Sequence, residues 1–163
     1  MYPAWLQEAV RHIGTREIKG VRHEPKIISW WKAIKRGGIQ TDEVPWCAAF
    51  VGAMLESVGL RSSRYESARS YLEWGIALDY PCVGCIVVFS RNGGGHVGFV
   101  VGRDDKGNLM VLGGNQGDEV NIRSFQLDRV VGFRWPQAVP CVDASFNVGL
   151  PIFSGIAAST SEA

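Results

Sequence analysis

Cys85-Ile86-Val87-Val88-Phe89-Ser90-Arg91-Asn92-Gly93-Gly94-Gly95-His96-Val97-Gly98-Phe99-Val100-Val101 is the stretch on which the fold turns. Two apolar runs rich in β-branched residues, Cys85 to Phe89 and His96 to Val101, flank a polar, glycine-rich turn from Arg91 to Gly95. Short runs of this kind bounded by glycine read as strands joined by a tight connection. The pattern continues downstream. Asp104-Asp105-Lys106-Gly107-Asn108 is a hairpin signal ahead of Leu109 to Leu112,. Val120 to Phe125 and Val130 to Trp135 then complete an antiparallel sheet.

Upstream the period changes from two to that of a helix. Trp5, Leu6, Ala9, Val10 and Ile13 recur at helical spacing before Gly14,. Ile27, Ile28, Trp31 and Ile34 form a second stripe, with Pro25 suited to its first turn and Gly37-Gly38 at its end,. A third helix is expected from near Trp46, burying Ala49, Phe50, Ala53, Met54 and Val58 and stopping at Gly59,. A fourth is expected from Ser67, its cap, to Leu78,. Helices first and strands second predict an α+β domain, the N-terminal helices packed on a C-terminal antiparallel sheet. It is expected over residues 1–139. Residues 140–163, rich in Gly, Pro, Ser and Ala without sustained period, read as a tail,.

Composition narrows the function classes. The chain is 46% hydrophobic and 20% charged, the mix of a globular domain able to bury its own core,. Its formal net charge of +1 supplies no field for nucleic acid or an anionic membrane,. No apolar run is long enough to cross a bilayer, and Met1 to Trp5 does not resemble a secretory signal,. Synthesis in the cytoplasm and a monomer are the expectations. Cys47, Cys82, Cys85 and Cys141 are too few for a disulfide scaffold,.

Chemistry concentrates at Pro45-Trp46-Cys47-Ala48-Ala49-Phe50. Pro45 sets the chain entering the helix, and Cys47 falls in the first turn. Unpaired backbone N–H groups and the positive end of the helix dipole favour a thiolate there. A small buried thiol is the other reading. His96 opens a strand behind three glycines, a place that suits a general base, and Gly98 on the same face leaves room beside it,. His12 and His23 read as structural. Gly113-Gly114-Asn115-Gln116 follows the next strand and reaches the same sheet edge. A polar side chain there can accept from the imidazole and hold its tautomer. Gln116 can instead help polarise a substrate carbonyl.

These three motifs, in this order, resemble the CHAP-type amidohydrolases and peptidases, and more narrowly a single-domain group from phages and prophages of Gram-negative hosts. The similarity runs from about Pro3 to Pro136. It includes Gly14, Glu17, Asp42-Glu43, Ala68-Arg69-Ser70-Tyr71-Leu72, Val87-Val88-Phe89 and Gly132-Phe133-Arg134-Trp135-Pro136. The resemblance implies a papain-like fold, with Cys47 as nucleophile, His96 as base and Asn115 as the residue that orients it. It implies cleavage of a peptidoglycan amide, either sugar to peptide or within the stem peptide, with no cofactor or metal. It fits a phage or prophage endolysin that reaches the periplasm from the host cytoplasm. An antibacterial toxin of the same superfamily and a non-catalytic wall- or virion-binding module are the competing readings.

The chain departs from the family where Cys85 stands in place of a usual Asp. Cys82 and Cys85 form a Cys-x-x-Cys that leads into a strand, so incidental thiols are preferred over a redox pair, a zinc site or a disulfide involving Cys141. Asp42 and Glu43 invite calcium, but the segment lacks the dense set of oxygen ligands. Contact with the amine of a stem peptide is the expectation for both. Trp46 is read either as part of a sugar-stacking wall or as core.

Overall fold

A computed structural model describes residues 2–20, 22–91, 94–140, 149–153 and 158–159. Helices α1 (Ala4–Val10), α2 (Pro25–Ala33) and α3 (Cys47–Ser57) come first, then a 3₁₀ turn (Ala68–Glu73). The strands follow: β1 (Ile76–Leu78), β2 (Ile86–Arg91), β3 (Gly94–Asp104), β4 (Leu109–Gly113), β5 (Asn121–Phe125), β6 (Val130–Trp135), β7 (Ile152–Phe153) and β8 (Ala158–Ser159). They form one sheet in the order β1-β6-β2-β3-β4-β5-β8, with β7 on β3. The pairs from β1 to β6 are all antiparallel, whereas β7 and β8 pair parallel to β3 and β5. The domain is α+β, with the N-terminal helices against the sheet.

Helix α3 is the central element. Every residue from Cys47 to Leu55 is buried, so the helix has no solvent face and is apolar all round, as a core helix must be. Phe50 meets Phe99 of β3 edge-on at 6.3 Å and Trp30 of α2 at 5.1 Å. This packing fixes the start of α3 against the middle of the sheet. Gly59, with φ +83°, ends the helix as expected,.

Several expected elements differ in extent. Helix α1 stops at Val10, and Val10 and Ile13 are exposed, so the buried stripe is only Trp5, Leu6 and Ala9. Lys35, at φ 64°, turns the chain out of α2 before the glycines are reached. The fourth helix is only the 3₁₀ turn, capped by Ser67, which accepts from the Arg69 N–H at 3.2 Å. Ile76 to Leu78 instead pairs with β6 as strand β1, because the left-handed Gly75 fits closely against the Trp135 carbonyl,. The Asp104 carboxylate closes the β3–β4 turn, accepting from the Lys106 and Asn108 backbone N–H groups at 2.9 Å each.

Within the stretch read as a tail, Ile152–Phe153 pairs with Arg103 and Asp104, and Ala158–Ser159 pairs with Ser124 and Phe125. Gly102 admits the Phe153 ring, since a Cβ there would lie 2.6 Å from it. Cys82 and Cys85 are fully buried at a turn into β2. Cys141 lies outside the described residues. No helix of the described residues is long and apolar enough to cross a membrane.

Candidate active site

Cys47 is the first residue of α3 and is 6% exposed. The backbone N–H groups of Val97, Ala48 and Cys47 itself favour the charged form of its sulfur. The helix start thus meets β3 one residue from His96. Burial pushes the thiol up, against the lowering effects of the Val97 N–H, the Arg91 charge and the helix-start N–H groups,. The helix-terminus argument for a resting thiolate is therefore outweighed by desolvation.

His96 is 1% exposed. Its ring lies in an aromatic column, stacked 5.5 Å from Phe125 and 6.2 Å from Phe89. Burial drives its pKa down to about 4, opposed by the hydrogen bond to Gln116 and reinforced by the charges of Arg91 and Arg129,. Both members of the pair are therefore held neutral at pH 7.

The orientation of the imidazole follows from its neighbours. His96 Nε2 lies 3.0 Å from Gln116 Oε1. The Gln116 amide cannot turn over, because its nitrogen donates to the Asn121 carbonyl and to Asn121 Oδ1, both at 3.0 Å, and to the Val111 carbonyl at 3.3 Å. Asn121 returns a bond of 2.9 Å to the Gln116 carbonyl. With the amide oxygen facing the ring, the proton sits on Nε2 and donates to Gln116. His96 Nδ1 is then a bare acceptor, buried with no hydrogen-bond partner among the described residues. A neutral imidazole with Nδ1 unoccupied can accept a proton.

The expected partner of His96 was Asn115. The structure places Gln116 there instead. Asn115 adopts a left-handed backbone, φ 58°, a conformation that asparagine tolerates. This turns the chain so that the next residue faces the ring. Asn115 is 6% exposed, and its side chain makes no hydrogen bond to the described residues. Gln116 is fully buried and committed to His96 and Asn121, so it is not available to polarise a substrate carbonyl. Two glycines let this loop come close. A Cβ on Gly113 would meet Gln116 Oε1 and lie 3.5 Å from His96 Nε2, and one on Gly114 would lie 2.6 Å from the Trp46 ring.

The other expected binding residues are largely structural. Asp42 is fully buried. It accepts from the Ile18 and Glu24 N–H groups at 2.8 Å each and lies 3.0 Å from His23 Nδ1. Burial alone would raise its pKa, but these bonds outweigh it and hold the carboxyl below its ordinary value. Such a group, with no exposed surface, is out of reach of a substrate amine. Its partner His23 had no partner visible in the sequence. Trp46 is fully buried, tilted on Trp30 at 5.7 Å, and donates to Glu17 Oε1 at 2.7 Å. It is core rather than a sugar-stacking wall. Glu43 is exposed on the loop before α3, where its backbone N–H donates to Thr41 Oγ1 at 3.1 Å.

Sequence reading missed Asn121, Glu17 as the anchor of Trp46, and the arginines beside His96. Burial raises the Glu17 pKa against the Trp46 bond, with Asp118 and Asp42 adding to the rise. Glu17 also lines a surface cleft of about 500 Å³ with Ile13, Arg16, Ile18, Glu24 and Lys26. Among the described residues, no three His, Cys, Asp or Glu side chains gather in a metal-binding group.

Residues 39–115 match the family model of the CHAP domain. No curated protein matches the chain.

Proposed function

We propose, from the match of residues 39–115 to the CHAP-domain model, that the chain carries the papain-like module of peptidoglycan-cleaving amidohydrolases and peptidases and works by a thiol mechanism centred on Cys47 and His96. The observation that supports it best is the bare, buried Nδ1 of His96, whose other nitrogen is committed to Gln116. The Cys47 thiol passes its proton to His96 Nδ1 as sulfur attacks the amide carbonyl. The carbonyl oxygen becomes an oxyanion that takes the Cys47 backbone N–H at the start of α3. His96 returns the proton to the departing amine, which breaks the C–N bond and leaves a thioester. Water, deprotonated by His96, then releases the acid and restores the thiol. Because both resting groups are neutral, the proton moves in the attack step rather than before it. Gln116 holds the tautomer that leaves Nδ1 basic, the part first expected of Asn115, and the Gln116 amide is held in turn by Asn121.

The proposed setting is a phage or prophage endolysin, made in the host cytoplasm and acting on the periplasmic wall as a monomer, with residues 1–139 as its catalytic unit. Its bond is the sugar–peptide amide or one within the stem peptide. The test is mass spectrometry of purified Gram-negative peptidoglycan digested with wild type and with Cys47→Ala. New fragments from wild type alone are expected, and their masses name the bond. Fragments from neither would overturn the hydrolase and favour a wall-binding module. A cognate immunity protein encoded beside the gene, rather than a holin, would favour the toxin over the endolysin.

A further inference from the structure

One polar side chain at the site is buried and without a partner. Asn115 is 6% exposed, as is Cys47, and its amide makes no hydrogen bond among the described residues. Its buried polar neighbours are filled: Gln116 is held by His96 and Asn121, and Asp42 by Ile18, Glu24 and His23. A carboxamide carries two donors and an acceptor. Burying it unpaired is unfavourable, and such a group calls for a partner from outside the chain. His96 Nδ1 is sealed from solvent, whereas the Asn115 amide is not sealed, so a ligand reaches it.

The loop after β4 places Asn115 at the Cys47–His96 centre. A Cβ on Gly113 would lie 3.5 Å from His96 Nε2, and one on Gly114 would lie 2.7 Å from Phe50 Cβ and 2.6 Å from the Trp46 ring. Trp46 directly precedes Cys47, and Gln116 Oε1 lies 3.0 Å from His96 Nε2. Asn115 is the one residue between Gly114 and Gln116, so it stands between the start of α3 and the partner of the imidazole. Its backbone is left-handed, φ 58°. Glycine meets that conformation with less strain, and this loop already uses glycine at 113, 114 and 117. The turn therefore accounts for the backbone of Asn115 but not for its carboxamide.

We propose that Asn115 is a substrate-binding residue whose carboxamide pairs with a peptide unit of the stem next to the amide that is cut. This role rests on the hydrolase reading above. A primary amide offers a carbonyl that accepts a peptide N–H and an NH₂ that donates to a peptide carbonyl, so one side chain meets both halves of a peptide unit. Such pairing reads backbone rather than side chain, which suits a substrate built of successive amides. The contact is made by the bound substrate and is kept during attack on the neighbouring carbonyl, so it lowers KM without raising kcat. The adjacent amides divide the work: Gln116 orients the imidazole, and Asn115 holds the substrate.

The test uses soluble muropeptides and two variants. Asn115→Gly removes the carboxamide and keeps the left-handed turn. Asn115→Asp also tolerates that turn and keeps the shape but loses the donor. Each is expected to raise KM by roughly three- to tenfold, the worth of a neutral hydrogen bond, with kcat changed by less than about twofold. Loss of kcat at unchanged KM, or no change in either constant, overturns the role. Binding is measured separately by calorimetry on Cys47→Ala with and without Asn115→Gly, and Kd is expected to weaken by the same factor. Equal Kd values, with wild type cutting, overturn the role and leave the hydrolase standing. A weakened Kd in the double variant, with wild type cutting nothing, overturns the hydrolase and leaves the peptide-binding residue. No binding by Cys47→Ala overturns the role.

Discussion

At His96, a single hydrogen bond decides which ring nitrogen is left bare. Nε2 faces Gln116 Oε1 at 3.0 Å, and the Asn121 acceptors keep that amide from turning over. Gln116→Ala leaves the ring free to take either tautomer and to swing. It is expected to lower kcat by about 10- to 100-fold, the usual effect of losing a buried group that orients a histidine, with KM little changed. Asn115→Ala is expected to cost less than Gln116→Ala, since Asn115 makes no bond to the ring. Steady-state hydrolysis of purified peptidoglycan by the two variants ranks them, and a larger kcat loss in Asn115→Ala would return the orienting role to that residue. The pair could not be separated from sequence. Asn115 and Gln116 are adjacent and chemically alike, and only the left-handed turn at Asn115 decides which amide faces the ring.

Between elements, the loop ahead of α2 and the loop ahead of α3 are tied by one carboxylate. Asp42 takes the Ile18 and Glu24 N–H groups and the His23 ring in a site with no exposure. Asp42→Asn keeps the volume but removes the charge and turns an NH₂ group toward at least one donor. It is expected to destabilise the fold by about 3 kcal/mol, as for a buried charged acceptor left mismatched. Urea unfolding reads the loss, and a change below about 0.5 kcal/mol, the range of a neutral surface substitution, would contradict the role. In the chain the Asp42-Glu43 pair looked functional because the two acidic residues lie a few positions ahead of Cys47. Burial separates them, with Asp42 inside and Glu43 outside. The helices themselves were legible from apolar spacing and from Pro25 and Gly59. The short fourth element was not, since a run through Leu78 ignores the partner strand β6 that claims Ile76 to Leu78.

For the whole molecule, two buried sites set distinct pH windows. His96 has a folded pKa of about 4 against an ordinary 6.5. The unfolded chain therefore binds more protons between those values, and stability rises with pH across the window. This contribution is complete above pH 6.5 and is lost as pH falls through 4, about 3 kcal/mol in all. Glu56 is held at about 2, where the bonds from Arg64 and Ser62 outweigh the effect of burial. Its contribution is lost lower, as pH falls from 4.5 through 2, and solvent screening limits it to about 1 kcal/mol. Unfolding free energies from pH 7 to pH 3 are expected to fall first in the upper window for wild type, and less steeply there for His96→Gln. Equal slopes in the two proteins would show that His96 is not desolvated.

The local alphabet of the chain was enough to determine the order of helices and strands, the α+β class, and Cys47 and His96 as the groups to watch. Those features rest on period, glycine placement and residue type, all of which are local. Tertiary structure alone decided the rest. It turned Trp46 inward onto Glu17, spent Asp42 on His23, and brought Phe125 of β5 against His96 of β3. It also paired Ile152–Phe153 with β3. Whether a polar side chain is a tool or a strut depends on whether its bonds are already filled, and the partners that fill them come from distant parts of the chain.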